Sequence, residues 1–248
     1  MDALQAAHGA FQAARFVLVV TGAGISAESG VPTFRGAGGY WRRHHFSELA
    51  TPEAFARDPR LVWDWYLERR NTVLACRPNA AHVALAGWSL RTRTDGEPPG
   101  LLVTQNVDGL HERAGHAGVV RFHGSLWRNA CSRCGAERED DSLEYAELPR
   151  CARCGDLERP AVVWFGESVP REAADTAYDA VALADCVLVV GTSGAVYPAA
   201  GIVSAARSGG ASVIEINPDE DYGSGDRGCF GGTWLRGAAG DLVPAVVG

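Results

Sequence analysis

Cys131, Cys134, Cys151 and Cys154 form two Cys-x2-Cys pairs separated by sixteen residues, and a glycine follows each pair (Gly135, Gly155). Paired thiolates at this spacing hold zinc tetrahedrally, and the glycines suit the tight knuckles that such a ribbon needs. Four thiolates complete the coordination shell and leave no position for a reacting water, so one structural Zn2+ is expected, folding an otherwise hydrophilic insert. The other cysteines, Cys76, Cys186 and Cys229, are scattered.

A second group starts from glycine. Phe16-Val17-Leu18-Val19-Val20 is an apolar run of strand length, and Gly22, Gly24 and Ala27 after it fit G-x-G-x-x-G/A. Glycines at such a strand-to-helix turn let backbone N–H groups approach a pyrophosphate, although many glycine turns only close a βα unit. The continuation is more specific. Gly30 and Pro32 stop a regular helix early, and Ser26, Ser29, Thr33, Phe34 and Arg35 place hydroxyls, a ring and a guanidinium beside the turn. Such a loop suits folding over a ligand. Gly36-Ala37-Gly38-Gly39 with Tyr40-Trp41 reads as a mobile lid.

Other polar residues fall where strands end. Leu101-Leu102-Val103-Thr104 runs into Gln105-Asn106-Val107-Asp108-Gly109-Leu110-His111. Ligands of open α/β sheets sit at the carboxyl ends of strands, so this segment is a site candidate; a polar turn with an Asp-Gly bend is the competing reading. His123 directly follows Val119-Val120-Arg121-Phe122, where a general base could stand, or a solvated histidine. Gly191-Thr192-Ser193 follows the strand opened by Cys186, and Asn217 follows Ala211 to Ile216; small polar groups there suit phosphate or ribose. Tyr66 and Arg69 lie three apart in one helix and share a face, which a surface pair would also do.

These groups must be positioned by alternating strands and helices. Helices are expected at residues 3–14, from Pro59, from Pro78-Asn79 to Leu90, over 171–184 and over 198–208, with Thr51 capping a helix that has Pro52 at its first position. Val162 to Phe165 is read as a strand. The acidic residue expected about twenty positions beyond the glycines of a hydride-transfer enzyme is missing, since residues 36–60 read as lid and helix.

The chain has 248 residues, 46% hydrophobic and 21% charged, enough for one large core and a small satellite. No apolar run reaches membrane-span length, and Met-Asp opens the chain without a basic-then-apolar leader; no membrane partner and a cytoplasmic location are expected. A net charge of −7 does not favour nucleic acid. All 23 basic residues are arginine. Codon bias in a GC-rich genome is the favoured reading; the alternative is that an enzyme acting on lysine side chains could not then be its own substrate.

GAGISAESGVPTFRG at 22–36, TQNVDGLH at 104–111, His123-Gly124, the two cysteine pairs, VVWFGE at 162–167, GTS at 191–193 and Ile216-Asn217 together closely resemble the sirtuins, NAD-dependent protein-lysine deacylases, from about residue 16 to about 244. The resemblance implies an α/β fold: a Rossmann-like parallel-sheet domain (1–36, 77–126 and 160–248) and a small domain of a helical module (37–76) and a zinc ribbon (127–159). It implies NAD as co-substrate. Gly22, Ala23, Gly24, Phe34 and Arg35 would surround its phosphates and nicotinamide ribose. Gln105, Asn106 and Asp108 would line the nicotinamide pocket, and Gly191, Thr192, Ser193, Asn217 and, less securely, Ala239 would hold the adenosine half. Asn106 and His123 would be catalytic, His123 taking a proton from a ribose hydroxyl after the acyl oxygen has displaced nicotinamide. Val162, Val163, Trp164 and Phe165 would pair with the backbone of an acylated-lysine peptide. A monomer is expected.

Tyr66-Leu67-Glu68-Arg69 resembles the Tyr-x-x-Arg of the branch that prefers acidic acyl groups. A buried succinyl, malonyl or glutaryl carboxylate needs a partner, which guanidinium and phenol supply. Desuccinylase and demalonylase activity above deacetylase activity is therefore expected, with Arg69 rather than Arg70 as the cation. A zinc-ribbon nucleic-acid module and a dehydrogenase each explain one motif only. An NAD-dependent ADP-ribosyltransferase is the nearest rival, because it breaks the same first bond. The polar, glycine-rich stretch Asp219 to Gly232 departs from the family pattern and leaves the adenosine end least defined.

Overall fold

Helix α1 (Ala3–Ala13) leads into β1 (Val17–Thr21), whose five side chains are all buried. The computed structural model describes residues 2–33, 46–93, 95–194, 196–218 and 228–248. After the glycine turn come α2 (Phe46–Leu49), α3 (Pro52–Arg57), α4 (Pro59–Ala75) and α5 (Ala80–Ser89). Next are β2 (Gly100–Thr104), α6 (Leu110–Arg113) and β3 (Val119–Arg121). The cysteine segment is carried by β4 (Gly124–Cys131), β5 (Glu137–Glu139) and β6 (Glu158–Val162). The chain then returns through α7 (Arg171–Leu183), β7 (Cys186–Val190), α8 (Ala199–Ser208), β8 (Ser212–Ile216), β9 (Thr233–Leu235) and α9 (Ala239–Val247).

Six strands form one parallel sheet in the order β3-β2-β1-β7-β8-β9. The chain moves outward from β1 to one edge, then crosses back to β7 and continues to the other. This is the doubly wound order of a Rossmann-like sheet, and it opens a crevice at the carboxyl ends of β1 and β7. Burial on both faces explains why the strands read as unbroken apolar runs. Side chains alternate between two cores: Val17 and Val19 pack with α1, α5 and α9, while Leu18 and Val20 pack with α7 and α8.

The helix starts expected from local chemistry are present. Thr51 Oγ1 accepts the Ala54 N–H at 3.1 Å, and Asp58 caps α4 through the Leu61 N–H, with proline in the first turn of both helices. A third core joins α3 and α4 to Leu126 of β4, Val162 of β6 and Trp164.

Several elements differ from the sequence reading, among them the short helices α2 and α6, the strand β4 and the closing helix α9, which it did not place. The strand expected from Val162 to Phe165 runs instead from Glu158 to Val162 and stops there. Pro160 sits inside it, which an edge strand tolerates, and β6 is an edge strand of the sheet β5-β4-β6. The three-residue strands β5 and β9 are additional; Glu-Arg-Glu and Thr-Trp-Leu are too short to show a period.

Candidate active site

Each half of the cysteine segment forms the same knuckle. The Gly135 N–H donates to Cys131 O at 3.1 Å and the Gly155 N–H to Cys151 O at 2.8 Å, both glycines with positive φ (68° and 78°). The amides of Arg133 and Cys134 point at Cys131 Sγ, and that of Arg153 at Cys151 Sγ, each at 3.4 Å. The four sulfurs lie within 4.8 Å of one another. Tetrahedral zinc with bonds of about 2.3 Å needs separations of about 3.8 Å, and the pairs Cys131–Cys154 (3.4 Å) and Cys134–Cys151 (3.7 Å) approach that. Cys131, Cys134, Cys151 and Cys154 fit a structural zinc ion.

This ribbon grips α4 through buried polar groups. Arg70, fully buried, donates to Leu126 O (2.6 Å), Asp140 Oδ1 (2.9 Å), Ser142 O (2.9 Å) and Asn129 Oδ1 (2.8 Å). The Trp63 indole donates to Glu158 O at 2.9 Å. Arg70 is thereby committed to structure. Arg69, on a different side of the helix, is 6% exposed, with its guanidinium carbon 4.8 Å from the Trp65 ring centroid and 5.3 Å from that of Tyr66.

Arg69 faces the crevice of the parallel sheet. It lines one small cleft together with Ala23, Val31, Pro32, Asn106 and Asp108. Tyr66 is 2% exposed and accepts the Trp164 indole N–H at 2.9 Å. Burial raises its phenol above the usual tyrosine range, opposed by the Arg69 cation, so it stays protonated at neutral pH.

The glycines interlock. A β-carbon on Gly24 would lie 2.6 Å from Gly191 Cα, one on Gly191 (φ 63°) would lie 2.3 Å from Ile25 N, and one on Gly22 would meet Gly191 O at 2.8 Å. The Gly22 N–H donates to Val190 O and the Gly24 N–H to Gly191 O. Those two amides are spent on closing β1 against β7, so glycine is required here for the approach of two protein backbones. The turn itself is a 3-10 helix, Ala23–Ser29, ended by Gly30 at φ 90°, in keeping with the early stop read from Gly30 and Pro32.

At the β2 end the polar residues form one buried network. The Ser26 hydroxyl donates to Asp108 Oδ2 at 2.8 Å and accepts from Asn106 Nδ2 at 3.3 Å; Asn106 Nδ2 also reaches Gly22 O at 3.1 Å. His82 Nε2 stands 3.4 Å from the same hydroxyl, while His82 Nδ1 accepts the Asn79 N–H in a capping box. Burial raises the Asp108 carboxyl, opposed by the Leu110 N–H and the Ser26 hydroxyl, and lowers His82 to about 4. Beneath them Thr21 donates to Thr104 Oγ1 at 2.8 Å and stands 3.0 Å from His111 Nε2. Ser26 was read as one of the hydroxyls beside the turn, whereas His82 and Thr21 are the parts of this network that the motifs did not single out; the available signal for His82 was the Asn79-x-x-His82 cap.

His123 Nδ1 stands 3.2 Å from Gln105 O. A carbonyl can only accept, so Nδ1 carries the proton and Nε2 keeps its lone pair. Burial lowers the imidazole below its usual value, opposed by that hydrogen bond. Gln105 Nε2 donates to Thr192 Oγ1 (3.1 Å), and Asn217 Nδ2 to Thr192 O (2.9 Å), which ties the ends of β2, β7 and β8 together. Ser193 follows Thr192 in the same turn. Ala239, by contrast, is buried in the core at the start of α9. Val163 N donates to His123 O and Phe165 N to Ala50 O. Phe34 and Arg35, the segment read as a lid, and most of Asp219 to Gly232 lie outside the described residues.

A crevice at the switch point of the strand order, lined by small and polar residues from three strand ends, fits a dinucleotide. A neutral imidazole stands at its rim, and the Arg69 guanidinium, with the Tyr66 ring beside it, lines the cleft from α4. The Sir2 family model matches residues 22–198. The NAD-dependent protein deacylase 2 of Pyrobaculum aerophilum is 48% identical over 233 residues, 94% of this chain and 90% of that protein. The NAD-dependent protein deacylase of Pyrococcus abyssi is 47% identical over 239 residues, 93% of this chain and 91% of its own length. A Sir2 homologue solved in complex with NAD is 42% identical, with a TM-score of 0.87 over 100% of this chain and 93% of that one. Sir2Af2, solved with a myristoylated histone peptide, is 30% identical, with a TM-score of 0.76 over 99% of this chain and 95% of that one. The chain belongs to the Sir2 family, the NAD-dependent protein deacylases called sirtuins.

Proposed function

We infer that this sirtuin preferentially removes acidic acyl groups (succinyl, malonyl and glutaryl) from lysine side chains of proteins, with weaker deacetylase activity. The observation that carries this reading is the buried Arg69 guanidinium beside the buried, protonated Tyr66, facing the cleft that holds Asn106 and Asp108. An acetyl methyl has no use for a cation. A carboxylate buried without one costs several kcal/mol, and guanidinium can meet it with two charge-assisted hydrogen bonds.

When bound, NAD supplies a ribose carbon made electrophilic by the departure of nicotinamide. The protein's own groups do the rest. Gly22, Ala23 and Gly24 with Gly191, Thr192, Ser193 and Asn217 shape the dinucleotide crevice, and Gln105, Asn106 and Asp108 form the wall of the nicotinamide side. Ser26, receiving Asn106 and donating to Asp108, fixes both against that wall. His123 accepts a ribose hydroxyl proton at Nε2, since Nδ1 is held by Gln105 O. The turn after β6, with Val163 and Phe165, offers the edge along which the substrate peptide lies. We assign residues 1–36, 77–126 and 160–248 to the NAD-binding domain, and 37–76 with 127–159 to the small domain. Trp127, Tyr145, Leu148 and Leu157 of the ribbon pack against the core built by α3 and α4, which supports grouping the ribbon with the helical module.

The quoted relatives are named deacylases, which speaks against the ADP-ribosyltransferase reading. The test is one peptide carrying acetyl-, succinyl- or malonyl-lysine, each incubated with and without NAD. Release of the acidic acyl groups faster than acetyl, and only with NAD, is expected. Acetyl removed faster than succinyl would overturn the acyl assignment.

A further inference from the structure

Trp164 is held more elaborately than its packing requires. It lies two residues past β6, and its ring rests against Phe55 with centroids 5.4 Å apart. The Arg159 guanidinium carbon lies 3.4 Å from its ring centroid. Arg159 is itself fixed by two N–H donors on the Glu167 carboxylate and one on Val162 O. Glu167 Oε2 also accepts the Trp164 backbone N–H at 2.8 Å. Phenylalanine would meet the apolar part of this environment. What only the indole adds is its N–H, and that N–H is donated to the Tyr66 hydroxyl at 2.9 Å with both side chains buried.

Indole donates and never accepts, whereas a phenol does both. The Trp164 bond therefore occupies an acceptor lone pair of Tyr66 and leaves the phenolic proton pointing elsewhere. We propose that Trp164 is a positioning residue for acyl selection: its N–H forces the Tyr66 hydroxyl to meet an incoming acyl group as a donor, matched to a carboxylate beside Arg69. This rests on the acidic-acyl reading above. The clamp from Glu167 through Arg159 keeps the indole in plane for that bond, so selectivity depends on residues beyond the cleft itself.

The experiment measures kcat/KM on succinyl- and acetyl-lysine versions of one peptide for the wild type, Trp164→Phe, Tyr66→Phe and the double variant, with Tm as a check on folding. One hydrogen bond of ordinary strength corresponds to about a fivefold to tenfold change. Trp164→Phe should lower the succinyl-to-acetyl ratio by about that factor, chiefly through KM for the succinyl peptide. In the Tyr66→Phe background the same substitution should leave the ratio where Tyr66→Phe put it. An unchanged ratio in Trp164→Phe, or equal and additive losses with and without Tyr66, would overturn the proposal. A wild type that prefers acetyl would overturn the reading beneath it, and the wild-type ratio alone reveals that case.

Discussion

Replacing Arg69 by methionine keeps a side chain of similar reach on α4 while removing the cation from the cleft. Under the acidic-acyl proposal, two charge-assisted hydrogen bonds from Arg69 to a substrate carboxylate, each about 1.5–2 kcal/mol, would give roughly 3–4 kcal/mol. At about 1.4 kcal/mol per decade, the succinyl-to-acetyl ratio of kcat/KM should fall about 10²- to 10³-fold. Arg69→Lys should recover only part of this, because an ammonium cannot bind a carboxylate with a planar fork. The adjacent Arg70→Met is the control. It leaves Asn129 Oδ1 and Leu126 O without the Arg70 donor and takes one cation from Asp140, which keeps Tyr145, the Ser142 N–H and Arg138. The expected cost is about 3–5 kcal/mol of stability, lowering Tm by on the order of 10 °C, with the acyl ratio of the surviving folded enzyme moving far less than in Arg69→Met. Chromatographic separation of deacylated peptide gives the ratios, and thermal unfolding gives Tm. Equal losses on succinyl and acetyl peptides in Arg69→Met, or a ratio shifted as far by Arg70→Met, would refute the reasoning.

Because burial lowers His123, the base form persists below the usual histidine value, so the acid limb of kcat/KM should lie below pH 6.5; His123→Ala should lose turnover yet still bind NAD by calorimetry, and near-normal turnover would remove it from the mechanism. His82 is lowered to about 4. Its contribution to stability is complete above its unfolded value near 6.5 and is lost as pH falls from there toward 4, roughly 2 kcal/mol by pH 5. Urea unfolding at pH 7.5 and 5 should show this decline, and His82→Gln should flatten it; an unaltered decline would exclude His82 as its source. Stripping zinc with a chelator should release about one metal ion per chain and lower Tm, and retention of full stability without metal would contradict a structural role.

Much of this site was legible because its chemistry is local. Two knuckles declare themselves by spacing, and a helix cap such as Thr51 is decided within four residues. Buried parallel strands leave apolar runs that lead directly to Gln105, Thr192 and Asn217 at their ends. Arg69 could be preferred over Arg70 because three-residue spacing from Tyr66 puts two side chains on one helical face. Other features depended on partners distant in sequence. Nothing near Gly24 shows that its hydrogen faces Gly191, because that contact exists only once β1 and β7 are paired. Ser26 gave no sign of joining Asp108, 82 positions away. The strand from Glu158 was masked by Pro160, whose tolerance depends on β6 lying at an edge, a property of the sheet.

The two ends of the cleft rest on different supports. The dinucleotide end is closed by backbone contacts among Gly22, Gly24 and Gly191, where added volume has nowhere to go. The proposed acyl end is carried by α4 and by the turn after β6, and both are fastened to the metal ribbon: α4 through Arg70 and Trp63, the turn through Arg159 on β6. Disturbing the zinc knuckles should therefore be felt first at Tyr66 and Arg69, since the sheet that shapes the dinucleotide crevice has its own two cores. A metal with no place in the chemistry would then still govern which acyl group is accepted, by holding the helix that reads the far end of the chain.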